Sequence, residues 1–88
     1  MVSVLIRHEL EDFDKWKAAF DAAFDMRKEA GEECFKIYQE EGSPNTIFGI
    51  FKWDTIEKAK AFIESPELKE KMKEAGVKEE GMHVHYLN

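Results

Sequence analysis

The side chains of this 88-residue chain best able to do chemistry are three histidines, two tryptophans and one cysteine. His8 closes an alternating run from Val2, while His83 and His85 stand as an H-x-H pair in a second alternating run, Met82 to Leu87. Pairing two such strands antiparallel sets directly opposed residues about 5 Å apart. Three imidazoles gathered that way could bind zinc or another divalent ion, shuttle protons near neutral pH, or line the pocket of an organic ligand. The plainer alternative is that they are ordinary strand-end or surface residues. The H-x-H spacing is unspecific and no second cysteine joins it, so no metal ligand set is assigned. His8 is the candidate base, Trp53 a flat wall beside it, and Phe51, His83, His85 and Arg27 are further candidates for ligand contact.

Each candidate has a structural competitor. A tryptophan on a strand fills volume more often than it stacks a substrate. Arg27 continues the apolar stripe of Phe20 and Phe24 and is expected to reach outward, either to anchor a substrate carboxylate or, as the favoured reading, to pair with Glu32 or Glu33. Arg7 has the same ambiguity, and Tyr38 and Tyr86 have no partner that sequence identifies. Cys34 follows two glutamates whose charges oppose a thiolate, which argues against a nucleophile there.

The elements that must position these groups follow from periodicity. Val2 to His8 reads as a strand. From Phe13 the period becomes helical, with Asp12 as cap and Gly31 as stop, which predicts one long amphipathic helix. Cys34 to Glu40 and Thr46 to Trp53 alternate around a turn cluster at Gly42, Ser43, Pro44 and Asn45, a hairpin pattern. Asp54, Thr55, Ile56 and Glu57 open a short helix to Ile63. Ser65 and Pro66 restart it, with Leu68, Met72 and Ala75 as a buried stripe before Gly76. The charged stretch Lys69 to Glu80 reads as a solvated helix face and loop.

Residues 1–88 are too few to enclose two cores, so one domain is expected. A formal net charge of −6 disfavours nucleic acid and anionic membranes as partners. The chain has no apolar run long enough to span a bilayer and no signal-peptide pattern, and with a lone cysteine the cytoplasm is the expected compartment. Phosphate-loop, Rossmann and nucleophile-elbow patterns are missing from the sequence, which argues against ATP, NAD and serine-hydrolase chemistry.

The order βαββ, broken helix, β predicts an α+β ferredoxin-like fold: a four-stranded antiparallel sheet with strands one and three central, strand four beside strand one, and helices on one face. Parity groups Val2, Val4, Ile6 and His8 with Ile47, Phe51 and Trp53. This apolar side is assigned to the sheet face away from the helices, where a second copy related by a two-fold axis would cover it. A bound ligand or lipid is the alternative cover.

The run Ile6-Arg7-His8-Glu9-Leu10-Glu11-Asp12-Phe13-Asp14-Lys15-Trp16-Lys17 is joined by Phe20-Asp21, Arg27, Pro44-Asn45, Trp53-Asp54, Ser65-Pro66-Glu67-Leu68 and Met72-Lys73-Glu74-Ala75-Gly76-Val77. Together they resemble the small dimeric α/β-barrel proteins related to the antibiotic biosynthesis monooxygenases, over essentially the whole chain. The resemblance implies the same fold and a homodimer. It does not select a reaction, since the superfamily hosts cofactor-free monooxygenases, haem-degrading enzymes, isomerases, cyclases and stress proteins. In the haem-degrading members the site joins a polar residue on strand one, a tryptophan ending strand three and a histidine on the second helical segment. His8 and Trp53 match the first two loosely, but the third falls on Met72, so haem chemistry is not expected. Two readings stay open. One is an enzyme without a cofactor that acts on a flat phenolic or polyketide-like molecule held between His8, Trp53, Phe51 and His85. The other is a non-catalytic homodimer that binds a small hydrophobic ligand or serves assembly.

Overall fold

The computed structural model describes residues 2–88. Alternation makes Val2–Leu10 a strand, β1, in which Val4, Ile6, His8 and Leu10 are buried and the residues between them are not. Asp12 caps helix α1, Phe13–Ala22, through a hydrogen bond from the Lys15 N–H of 2.9 Å. The single long helix expected here is broken at Ala23, and α2 runs Phe24–Ala30. At the break the Ala23 N–H donates to both the Ala19 and Phe20 carbonyls, and the Phe20 carbonyl also accepts from Arg27 Nη1. A buried side chain on α2 thus supports the interrupted turn. Gly31 stops α2 at φ 124°, where a side chain would be strained and would crowd Lys58 and Trp53.

Strands β2, Glu32–Glu40, and β3, Ser43–Trp53, form the expected hairpin. The turn is tighter than expected, with Gly42 at φ 80°. Ser43 already pairs with Glu40 and Ile47 with Gln39, so the Pro44-Asn45 pair sits in a bulge rather than in the turn itself. The bulge has a use: Asn45 Oδ1 accepts from the Phe13 N–H at 2.8 Å and so holds the start of α1. Thr55 caps α3, Ile56–Ile63, and Ser65 caps α4, Pro66–Glu74, with Pro66 in the first turn. Strand β4 is Val77–Leu87. It begins well before Met82, because Lys78 and Val77 pair with Glu9 and Leu10 beyond a register shift in β1.

The sheet order is β2-β3-β1-β4, every pair antiparallel, which is the ferredoxin-like topology the element order predicts. One expectation is reversed. Val4, Ile6, Phe51 and Trp53 pack against Ala59 and Ile63 of α3, and Ile47 and Leu10 pack with Trp16 of α1. The strongly apolar side of the sheet is therefore the side under the helices. Parity shows which residues share a side but not which side the helices cover, and helices tethered to the same chain take the more apolar one. The free face carries Leu5, Phe48, Ile50, Tyr38 and Leu87 among Ser3, Arg7, Lys36, Lys52, His83 and His85.

Candidate functional site

Between the helices and the covered face lies a cavity of about 510 Å³. β1 and β3 supply its floor through Ile6, His8, Phe51 and Trp53, and α1 and α2 supply a wall through Trp16, Phe20 and Arg27. Four of the six expected site residues, His8, Trp53, Phe51 and Arg27, line this one space, on the side of the sheet opposite to that expected.

His8 is 5% exposed, and its Nδ1 is buried without a hydrogen-bond partner among the described residues. Its ring lies 6.2 Å from that of Trp16 at 54°. Burial among apolar groups lowers its pKa to about 4, so the imidazole is neutral at pH 7. A neutral, dry imidazole with a ring nitrogen to spare can hydrogen-bond a ligand hydroxyl and take its proton.

Trp53 does not stand beside His8. Trp53 pairs with Val2 and His8 with Ile47, so six residues of β1 separate their positions. At about 3.3 Å per residue their backbones lie about 20 Å apart. Trp53 is 2% exposed and packs against Phe62 at 5.5 Å, which makes it the far end of the cavity. Phe51 lies between them. Its ring extends over Gly49, where any Cβ would fall 2.5 Å from Phe51 Cε2. The glycine lets the ring lie along the strand instead of standing off it.

Arg27 reaches inward, contrary to expectation, and is 5% exposed. Its Nε donates to Glu32 Oε2 at 3.0 Å, which realises the favoured ion pair. Burial pushes the Glu32 carboxyl up, and the hydrogen bond and charge of Arg27 oppose that shift. The guanidinium lies 3.6 Å over the Phe20 ring and 5.1 Å from that of Phe35, and its Nη2 has no hydrogen-bond partner among the described residues.

His83 and His85 do not join the site. They pair with Arg7 and Leu5 on the free face, while His8 points to the opposite face. In a pleated strand neighbours alternate sides, so an even-numbered residue of β1 cannot meet residues registered to its odd-numbered ones. Among the described residues no group of three or more His, Cys, Asp or Glu side chains is placed to hold a metal ion. Cys34 is exposed and registers with Lys52 on the free face. Met72 of α4 also lines the cavity. No helix among the described residues is long and apolar enough to cross a membrane.

Trp16 and Glu32 are among the lining residues that the sequence did not assign to a site. Trp16 belongs to an amphipathic stripe that looks like core packing, and nothing in its spacing separates the two roles. Glu32 was expected only as an ion-pair partner, although a buried pair next to an aromatic stripe already indicates an interior polar position.

Comparison with solved structures supports the architecture. A candidate antibiotic biosynthesis monooxygenase from Bordetella bronchiseptica superposes with a TM-score of 0.77 at 15% identity, covering 99% of this chain and 94% of that one. SnoaB, a cofactor-independent oxygenase from Streptomyces nogalater, gives 0.76 at 11% identity, with 99% and 90% covered. A conserved protein from Methanosarcina mazei Go1 gives 0.74 at 13%, also with 99% and 90% covered. The chain thus shares the ferredoxin-like fold of the antibiotic biosynthesis monooxygenase-like proteins that its sequence resembles. No family model matches the sequence, and no curated protein matches it either.

Proposed function

We propose that the cavity is the active site of a small-molecule oxygenase that works without a cofactor, with His8 as its base. The observation that carries this reading is a neutral, buried imidazole with an unpartnered Nδ1, set in the wall of an aromatic cavity of about 510 Å³. The Trp16, Phe20 and Phe51 rings line the cavity and offer apolar surface to a flat hydroxyarene. His8 accepts the hydroxyl proton. Its basicity in the empty cavity is low, but an anion formed against it raises the imidazole's proton affinity, so the proton transfer and the ion pair form together. The electron-rich anion then reacts directly with dioxygen. Where it carries a conjugated methylene, that carbon becomes a ketone with one oxygen atom, and the other oxygen leaves with the two hydrogens as water. The substrate supplies all four electrons. Support also comes from the shared fold of SnoaB, described as a cofactor-independent oxygenase.

The low basicity of His8 also favours a second reading, in which the cavity holds such a molecule without turning it over. Oxygen uptake separates the two. Incubation with a panel of hydroxyarenes bearing conjugated methylenes should consume oxygen, and His8→Ala should abolish the uptake while a compound of the panel still binds. Binding without uptake by the wild-type protein would leave only the second reading.

In either case we place the protein in the cytoplasm as a homodimer. A lone exposed thiol stays reduced there. The free face offers Leu5, Phe48 and the 40%-exposed Ile50 as a central apolar strip with a polar margin, a pattern suited to pairing with a second copy.

A further inference from the structure

The sheet face away from the helices holds two titratable side chains that the cavity does not use. Strand register sets the residues of this face in rows across the sheet. His83 ends the row Tyr38, Phe48, Arg7, His83, and His85 ends the row Lys36, Ile50, Leu5, His85. Directly opposed residues lie about 5 Å apart across a ladder, so His85 adjoins the apolar strip at Leu5 and His83 adjoins Arg7. Both histidines are exposed in the isolated subunit.

Cations predominate around them, although the chain as a whole carries a formal net charge of −6. The row beyond His85 adds the exposed Cys34 thiol and Lys52, whose Nζ donates to the neutral Ser3 hydroxyl at 2.8 Å. In the row beyond His83, Glu9 registers with Lys78 and lies 3.6 Å from Arg7, which also donates to the Gly81 carbonyl at 2.9 Å. Glu40 stands at the hairpin end of β2, on the sheet edge far from β4, and the exposed Glu79 and Glu80 precede the histidines on β4 itself. Lys36 and Lys52 have no carboxylate partner among the described residues.

Strands about 4.8 Å apart and about 30 Å long give this four-stranded sheet a face of roughly 19 by 30 Å. A stable interface covers about 800 Å² of each partner, so a second copy seated here must cover β4 together with the apolar strip. Resting on the homodimer reading above, we propose that His83 and His85 make the pairing of the two copies pH-sensitive: the copies associate while both imidazoles are neutral and separate as the imidazoles gain protons. Histidine is the side chain whose charge changes between neutral and mildly acid pH. A two-fold axis doubles every charge on the face, so the added protons meet Lys36 and Lys52 of both copies. Like charges taken out of water without counter-ions cost free energy that the apolar strip must offset. In the separated subunits the imidazolium ions stay hydrated. Protons therefore bind the separated subunits better and drive dissociation by mass action.

Sedimentation equilibrium of the full chain at pH 7.5 and pH 5.5, with a thiol reductant to keep Cys34 free, tests this. The dissociation constant of the wild-type dimer should rise about tenfold or more at the lower pH, and about 0.5 M sodium chloride should shrink that rise by screening. The double variant His83→Gln with His85→Gln should hold its constant within about threefold over the same interval. It keeps His8 and Glu32, so any effect of acid on the fold is common to both proteins. The pair His83→Lys with His85→Lys should be monomeric at pH 7.5 with an unchanged circular dichroism spectrum, because both positions are exposed in the subunit. A wild-type dimer with the same constant at both pH values would overturn the switch and leave the dimer standing. An equal rise in the glutamine variant, or a folded lysine variant that still dimerises as tightly, would overturn the assignment to these histidines. A wild-type monomer at pH 7.5 would remove the dimer and the switch together.

Discussion

Arg27 holds Phe20 twice: its guanidinium lies 3.6 Å over the Phe20 ring, and its Nη1 donates to the Phe20 backbone carbonyl. The same side chain pairs with Glu32 at the start of β2. One buried cation therefore ties the break between α1 and α2 to the edge of the sheet and forms one end of the cavity.

Removing that cation alone should be costly. Arg27→Ala leaves the Glu32 carboxylate buried without its counter-ion, and urea unfolding should show a loss of about 3 to 5 kcal/mol. Combining Arg27→Met with Glu32→Gln removes the unpaired charge and should recover most of that loss. Equal losses in the single and double variants would mean that packing on Phe20, rather than the charge pair, sets the stability.

His8 makes stability depend on acid. Its pKa is about 4 in the fold against an ordinary value of 6.5, so between these pH values the unfolded chain binds the proton and the folded chain does not. Stability is unaffected by this group above pH 6.5 and falls by about 1.4 kcal/mol per pH unit down towards pH 4. Glu32, raised by burial, acts in the opposite sense as it protonates. The test is thus the difference between wild type and His8→Gln, in which the Glu32 contribution cancels. Chemical denaturation across that range should show the wild type losing about 3 kcal/mol relative to the variant. Parallel curves would mean that His8 titrates normally.

Gly49→Ala should disturb the cavity floor without adding any polar group. The new methyl overlaps the Phe51 ring, which must leave its place along the strand, at a cost of about 1 to 3 kcal/mol. Affinity for a flat ligand should fall with it, read by calorimetry. Unchanged affinity would show that Phe51 does not contact the ligand.

The free face gives a test of assembly. Light scattering at low micromolar concentration should return twice the chain mass, and Ile50→Asp should return a single chain mass with the fold retained, because Ile50 is 40% exposed in the isolated subunit. A wild-type monomer would contradict the pairing. Ile6 and Phe51 cannot serve this test. They lie under the helices, and a charge there unfolds the subunit itself.

Sequence patterns carried the element order and strand neighbours because alternation, caps and turn residues act locally: Asp12, Ser65 and Gly31 each sit where their chemistry requires. The face of the sheet was not legible. Val4, Ile6, Phe51 and Trp53 share a side by period alone, but which side the helices cover depends on their packing, a long-range property. The site was legible in part for the same reason. His8 and Trp53 were placed on one face correctly, yet their separation along the strand depends on the β1–β3 register, which pairs Trp53 with Val2. The break at Ala23 has no proline or glycine to announce it.

The central claim is that His8 is a neutral base facing the ligand, and nitrogen-15 NMR of the histidine side chains measures this directly, with His8→Gln assigning the signal. In the free protein His8 should remain neutral down to about pH 4. On saturation at pH 7 with a compound of the hydroxyarene panel that binds, its ring nitrogens should shift, either to the values of a hydrogen-bonded neutral ring or to those of an imidazolium. A His8 that titrates near 6.5 in the free protein, or one whose nitrogens do not move when the compound binds, would contradict the account.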